Sequence, residues 1–150
     1  MNTSRRNLLG CLALILLGLV SVPSWATASE QGSQGSKNGP VTVSLVIDYG
    51  NGKEKVLADI VWRQGMTAWD ATLVATQREP RSQIKHTGSG PKVFVTEVDG
   101  FKNEGGGSDK RNWQYWVNGV YADVGAGAKV LKVGDKVVWK FTGPPAPGSW

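Results

Sequence analysis

Cysteine and histidine are almost absent from this chain of 150 residues, which contains one of each, Cys11 and His86. A structural zinc site takes about four Cys, His or carboxylate ligands, so this scarcity predicts no metal site. Nucleophilic catalysis requires a Ser or Cys side chain beside a base, and the sequence also lacks a Gly-x-Ser-x-Gly motif. We therefore expect no catalytic residues and no enzymatic activity.

The chain also lacks any run of Lys and Arg residues. Its formal charge is +5, from 17 basic and 12 acidic residues. Arg5 and Arg6 belong to an N-terminal segment that we expect to be removed, which leaves 15 basic against 12 acidic residues and a charge of +3. Nucleic-acid binding calls for a clustered basic stripe. The sequence therefore predicts no nucleic-acid partner.

Residues 1–28 have the order of a secretory signal peptide. Arg5 and Arg6 precede an apolar run at 8–22, and small residues at 26–28 allow cleavage after Ala28. A spanning helix needs about 20 apolar residues, which is more than this run provides, and an uncleaved anchor is the alternative. Residues 4–9 resemble a twin-arginine motif, so that route and Sec export both stay open. We expect an exported protein, periplasmic, cell-surface or extracellular, with no stable membrane span after cleavage.

The chain that remains after cleavage contains no cysteine. Disulfides are therefore excluded, and stability must come from burial in one modest core. Residues 29–39 are small and polar, which predicts a flexible linker. One domain is expected over 40–142, and residues 143–150, with three prolines, form an extended Pro/Gly tail.

Alternating apolar and polar residues predict a hairpin of two strands at 41–48 and 53–62, with Val56, Ala58 and Ile60 on one face. Helical spacing then predicts a helix over 68–78, in which Thr67 and Asp70 form a capping box. Several short strands follow. This order predicts the α+β class, with one helix on one face of a small, β-grasp-like mixed sheet.

Turns and loops separate the later strands. Asn118-Gly119 favours a two-residue hairpin because both residues adopt positive φ readily, and Gly134-Asp135 indicates another turn. We expect structural roles for these four residues. Residues 101–112 include three consecutive glycines, which predicts a mobile loop.

Two segments resemble a known family. The residues Trp113-Gln114-Tyr115-Trp116-Val117-Asn118-Gly119, then Gly125 and Gly134-Asp135-Lys136-Val137-Val138-Trp139, resemble the DUF4430 family, which is similar to the C-terminal β-domain of transcobalamin and gastric intrinsic factor. The resemblance covers residues 41 to about 141 and implies a β-grasp-like fold with a binding role. In the vitamin carriers this domain closes over a corrinoid held mainly by a separate helical domain. The 150 residues leave no room for that domain, so we expect a partner to supply the other wall of the cleft.

Aromatic residues are the candidate ligand contacts. Alternation places Trp113, Tyr115 and Val117 on one face of their strand, and Trp116 on the other. If the first set faces the core, Trp116 is the outward aromatic, and Tyr121 can join it across the turn. Core packing is the simpler interpretation of Trp113, Tyr115 and Trp139. The predicted ligand-binding set is Trp113, Trp116, Asn118, Tyr121 and Trp139.

Two functions from different classes follow. The first is an exported, non-enzymatic binding module that contacts a cobalamin-type corrinoid, with the edge of Trp116, Asn118 and Tyr121 beside the 101–112 loop as the binding face. The alternative is an envelope or extracellular module that binds a protein or polysaccharide and no small molecule. A concave aromatic pocket favours the first, and a flat face favours the second. His86 is conceivable as a cobalt ligand by analogy with corrin chemistry, although an exposed histidine is the simpler interpretation.

Overall fold

The computed structural model describes residues 39–78 and 80–145. The predicted signal peptide at 1–28, almost all of the predicted linker at 29–39 and most of the predicted tail at 143–150 lie outside the described residues. Within the described part, no helix is both long enough and apolar enough to cross a membrane.

Strands dominate the described chain, with one α-helix after the first two of them. The elements in order are β1 (Thr42–Asp48), β2 (Glu54–Val61), α1 (Ala68–Thr76), β3 (Ile84–Thr87), β4 (Phe94–Val98), β5 (Phe101–Lys102), β6 (Asn112–Val117), β7 (Val120–Tyr121) and β8 (Lys136–Thr142). A short 3₁₀ turn at Gly90–Lys92 precedes β4.

The larger sheet has five strands in the order β2-β1-β8-β6-β7. β1 and β8 are parallel and the other neighbours are antiparallel, which confirms the predicted mixed sheet with one helix. The prediction of a single sheet was incomplete, because β3, β4 and β5 form a second, three-stranded sheet. Its pairings join strands that are short and flanked by turns, so their grouping depends on tertiary contacts rather than on local pattern.

The predicted hairpin is confirmed, but the predicted facing of β2 was wrong. Leu57 and Ile60 point into the core, whereas Val56 and Ala58 are exposed. The register shifts between Val43 and Leu45, and Asp59 has a φ of +56°. This is a β-bulge: the extra residue in β2 reverses the alternation, so that two residues three apart share one face.

Helix α1 begins and ends close to the predicted positions. Thr67 is the N-cap, and its hydroxyl accepts from the Asp70 amide at 3.1 Å while the Asp70 carboxylate accepts from the Thr67 amide at 2.9 Å. This reciprocal pair is the predicted capping box, with Asp in place of the usual Glu. The helix ends at Thr76, two residues before the predicted end.

The core lies between α1 and the inward face of the larger sheet, and it continues under the second sheet. Aromatic rings join the two sheets: Phe101 of β5 lies 5.2 Å from Tyr49 and 5.8 Å from Phe141, measured between ring centroids. Trp113 packs against Tyr49 and Phe141 in the same cluster. Dispersion and apolar burial in this cluster hold the second sheet beside β6.

Candidate functional site

A cleft of about 560 Å³ opens beside β6, where the two sheets face each other. The start of β4 forms one wall and the edge of β6 forms the other. The rest of the lining consists of Asn103, residues 105–107, Asn112, Gln114, residues 121–126, Pro144 and Pro145. A volume of this size falls within the range of about 300–1,000 Å³ that is typical of small-molecule sites.

Three buried aromatic residues line the cleft on the side of the larger sheet: Trp113, Tyr115 and Trp139. The rings of Tyr115 and Trp139 lie 5.0 Å apart at an angle of 37°. The indole Nε1 of Trp139 donates to the hydroxyl of Thr72 in α1 at 2.9 Å, and that of Trp113 donates to the carbonyl of Phe101 at 2.7 Å. Both indoles are therefore held in place, as buried Trp side chains require a partner for their N–H group.

The Tyr115 hydroxyl holds residues 121–126, which form another wall of the cleft. It donates to the carbonyl of Val124 at 2.7 Å, and burial raises the pKa of Tyr115 above its ordinary value. Tyr115 is therefore a neutral hydrogen-bond donor at physiological pH. Gly125 in the same segment approaches the 3₁₀ turn so closely that a Cβ atom there would lie 2.2 Å from the Pro91 carbonyl oxygen. A side chain at that position would force this wall of the cleft outward.

Asn103 spans the gap between the two sheets with its side-chain amide. Its Oδ1 accepts from the Trp113 amide at 2.8 Å, and its Nδ2 donates to the Val95 carbonyl at 2.9 Å. One carboxamide thus connects an edge of β6 to an edge of β4, in the manner of a single peptide group between strands. Sequence reasoning did not single out Asn103. Its position before the glycines was the only local signal, and its role depends on strands that are distant in sequence.

The loop that contains Gly105, Gly106 and Gly107 lines the cleft, and contacts between Glu104 and Arg111 join its two ends. Glu104 and Arg111 are joined by ion-pair contacts of 2.9 and 3.1 Å, and the Arg111 amide donates to Glu104 at 2.8 Å. These backbone and side-chain hydrogen bonds from Arg111 hold the pKa of Glu104 below its ordinary value. Phe101 and Lys102, which were predicted to lie in a mobile loop, instead form strand β5. Motion of the remaining loop stays a prediction.

The structure divides the predicted ligand-binding set. Trp113, Tyr121 and Trp139 line the cleft, whereas Trp116 and Asn118 lie outside it. Trp116 lies on the outer face of the larger sheet, where the Tyr121 ring meets it at 5.4 Å and the Lys140 ammonium lies 5.4 Å from its ring centroid. With Tyr121 and Lys140 this close, the indole offers less free surface for stacking than the sequence suggested.

Hydrogen bonds from the Asn118 side chain connect the Asn118-Gly119 turn to the Gly134-Asp135 turn. Asn118 has a φ of +52° and Gly119 one of +82°, as a two-residue hairpin turn requires. The Asn118 side chain donates to Asp135 at 2.8 Å and accepts from the Lys136 amide at 2.9 Å. Both of its polar atoms are engaged within the fold. Gly134, with a φ of +82°, completes the second turn.

His86 lies on β3, where it is exposed and packs edge-on against Trp69 at 4.7 Å. Among the described residues, no group of three or more His, Cys, Asp or Glu side chains is arranged to hold a metal ion.

Comparisons with known proteins support the fold. The chain is similar to a crystal structure of a candidate metal-binding protein from Ruminococcus gnavus ATCC 29149, with a TM-score of 0.51 over 69% of this chain and 98% of that one. The sequence identity is 13%, so the likeness shows the fold alone. No curated protein matches the sequence. Residues 75–143 match the family model of DUF4430, a domain of unknown function.

Proposed function

We propose that this protein is an exported, non-enzymatic binding module whose ligand occupies the cleft between the two sheets. The observation that carries the proposal is a concave site floored by Trp113, Tyr115 and Trp139. Aromatic floors with a few polar groups around them are typical of sites for flat, partly apolar molecules. Asn103, Asn112 and Gln114 also line the cleft, but the amides of Asn103 and Asn112 and the Nε2 of Gln114 form hydrogen bonds within the fold.

The charge of the cleft favours a neutral ligand. Among the described residues that line it, only Asp123 carries a formal charge, and none is Lys, Arg or His. Nucleotides, phosphates and carboxylates gain most of their affinity from basic groups, which lie elsewhere on this chain. An uncharged, partly apolar ring system would match the aromatic floor.

We propose a cobalamin-type corrinoid as the ligand, because a flat, uncharged ring system suits the floor of Trp113, Tyr115 and Trp139. The cleft is open, so a corrinoid would be covered on one side only, and a partner would complete its enclosure. The order β2-β1-β8-β6-β7, with a helix after the first hairpin and a parallel pair at β1 and β8, supports the β-grasp-like fold that the resemblance to the transcobalamin domain implies.

Isothermal titration of the exported chain with cobalamin and cobinamide tests this proposal. We expect saturable binding to the wild type and its loss in Gly106→Trp. Gly106 lines the cleft, and a Cβ atom added to it would have no other atom within 4 Å. Its backbone does not require positive φ, so the indole can fill the cleft without disturbing the core. The intact mass of the secreted protein checks export, and it should correspond to a chain that begins at Ser29.

Two variants serve as controls. Gly106→Ala should bind as the wild type does, because a methyl group leaves the cleft open. Trp116→Ala should also bind normally, since Trp116 lies outside the cleft. Absence of saturable heat with both corrinoids would overturn the proposal, and so would binding that Gly106→Trp leaves intact.

A further inference from the structure

The outer face of the larger sheet, on the side opposite α1, carries an apolar row that crosses all five strands. Its members are direct cross-strand partners: Val56 faces Val46, Val46 faces Val138, Val138 faces Trp116, and Trp116 faces Tyr121. Partners in register point to the same side of a sheet, so these five side chains form one continuous line. Apolar side chains of a core point toward α1, whereas the side chains of this row point away from it.

The apolar row is uneven: part of it lines a hollow, and Val56 projects beside that hollow. Val46 is 5% exposed although it is on the outer face, and with Val138 it lies in a depression of about 300 Å³ that Trp116, Lys136 and Lys140 also line. Val56, at the edge of the same row, is 59% exposed. An isolated exposed valine needs no explanation, but Val56 projects beside a hollow that Val46 and Val138 share with the charged side chains of Asp48, Glu54, Lys136 and Lys140, and such a combination is the shape of a contact surface.

Acidic and basic side chains beside the apolar row lie on different strands. Glu54 on β2 and Asp48 on β1 are cross-strand neighbours, and Lys140 on β8 is the next partner in the same line. The acidic pair therefore lies on the β2 and β1 side of the face, and the basic side chain lies in its middle. Asp48 and Lys140 therefore lie on the two sides of the boundary between β1 and β8, and a surface with opposite charges on the two sides of an axis can match a rotated copy of itself.

We propose that the outer face is the docking surface for a second copy of this chain, related by a two-fold axis that runs parallel to the strands between β1 and β8. This axis places Lys140 of each copy opposite Glu54 and Asp48 of the other. It also brings each Val56 on β2 over Trp116 on β6, which lines the hollow. Tyr121, at one end of the row, also lines the cleft, but Val56, Glu54, Asp48 and Lys140, which make the contacts across this axis, do not, so this inference stands apart from the proposed ligand.

The size of the face sets the strength of the contact. Five strands about 4.8 Å apart, with about six residues of about 3.3 Å each, give a face of about 20 Å by about 20 Å. Two such faces bury less than the roughly 1,200 Å² at which stable interfaces begin, so the dimer is weak and forms at micromolar concentrations or above. Its ionic contacts also predict weaker association at high salt.

Sedimentation velocity of the exported chain, from about 1 μM to about 1 mM, tests the proposal. We expect the average mass to rise toward that of a dimer. Glu54→Lys alone and Lys140→Glu alone each place like charges in contact twice per dimer and should weaken association about tenfold or more. The double variant Glu54→Lys with Lys140→Glu restores one pair of opposite charges but leaves Asp48 facing an acidic side chain at position 140, so it should associate more tightly than either single variant without reaching the wild type.

Val56→Asp should also abolish the dimer. Val130→Asp is its matched control, because Val130 is 58% exposed but lies beside Thr67 at the start of α1, away from the outer face. A chain that stays monomeric to about 1 mM overturns the proposal and leaves the face to another occupant. A dimer that tolerates Val56→Asp overturns it equally, and so does a double variant that associates no more tightly than the two single variants.

Discussion

At the scale of single residues, Thr72 decides how the cleft floor is held. Its side chain is fully buried, donates to the Ala68 carbonyl at 2.7 Å and accepts from Trp139 Nε1 at 2.9 Å. Thr72→Val keeps the shape but leaves the buried indole N–H without an acceptor. We expect the free energy of unfolding to fall by about 1–3 kcal/mol, measured by urea denaturation.

Thr76→Val is the matched comparison for that prediction. The Thr76 hydroxyl donates to the carbonyls of Thr72 and Leu73, at 3.0 and 3.1 Å. Carbonyls of that kind can also accept from the helix backbone, so losing this hydroxyl should cost less than about 1 kcal/mol. Equal losses from the two substitutions would show that Trp139 gains nothing from Thr72.

At the scale of elements, the β2 bulge is the feature that determines which side chains enter the core. Asp59 holds a φ of +56°, and its carbonyl accepts from Arg78 at 2.9 Å. A β-branched residue adopts positive φ only at a cost, so Asp59→Val should lower the free energy of unfolding by about 1–2 kcal/mol. Asp59→Gly should lower it little or raise it.

Ala58→Val controls for the change of side chain in the same strand. Ala58 is exposed and is not among the residues with positive φ, and valine suits a strand, so its stability should stay within about 0.5 kcal/mol of the wild type. If Asp59→Val were as stable as Ala58→Val, the bulge would not require a residue that adopts positive φ at position 59. Thermal or urea unfolding followed by circular dichroism measures all three variants.

The bulge also shows why some elements could be predicted and others could not. The hairpin, the helix with its Thr67 cap and the Asn118-Gly119 turn follow from patterns within a few residues of each other. The reversal at Asp59 does not, because regular alternation assigned Val56 and Ile60 to one face. The cleft was also beyond local pattern: Trp113 and Trp139 could be named as aromatics, but their common site exists because β4 and β6 face each other across Asn103.

At the scale of the whole molecule, Asp99 links the first hairpin to the second sheet. It follows β4, and its carboxylate accepts from the Tyr49 hydroxyl at 2.5 Å, from Lys55 Nζ at 3.3 Å and from the Gln83 amide at 2.7 Å. Burial alone would raise the pKa of Asp99, but the hydrogen bonds from Tyr49, Gln83 and Lys55 outweigh it and hold that pKa below its ordinary value. The charged form is therefore the one that fits the fold.

This linkage predicts a dependence of stability on pH. Because the pKa of Asp99 is lower in the folded state, its contribution is complete above the unfolded value of about 3.9 and is lost as the pH falls through the folded value. Wild-type stability should therefore decline below about pH 4. Asp99→Asn should be less stable at neutral pH, by about 1–3 kcal/mol, and should show a shallower decline in acid.

Asp109→Asn provides the comparison for Asp99→Asn. Asp109 is exposed and pairs with the neighbouring Lys110, so its removal should alter neither neutral stability nor the slope in acid by much. Urea unfolding at a series of pH values from neutral to acid measures both quantities. If Asp99→Asn kept the full wild-type slope, the acid sensitivity would belong to other carboxylates. The two sheets would then be held together by the aromatic cluster around Phe101 and Phe141 rather than by this charge.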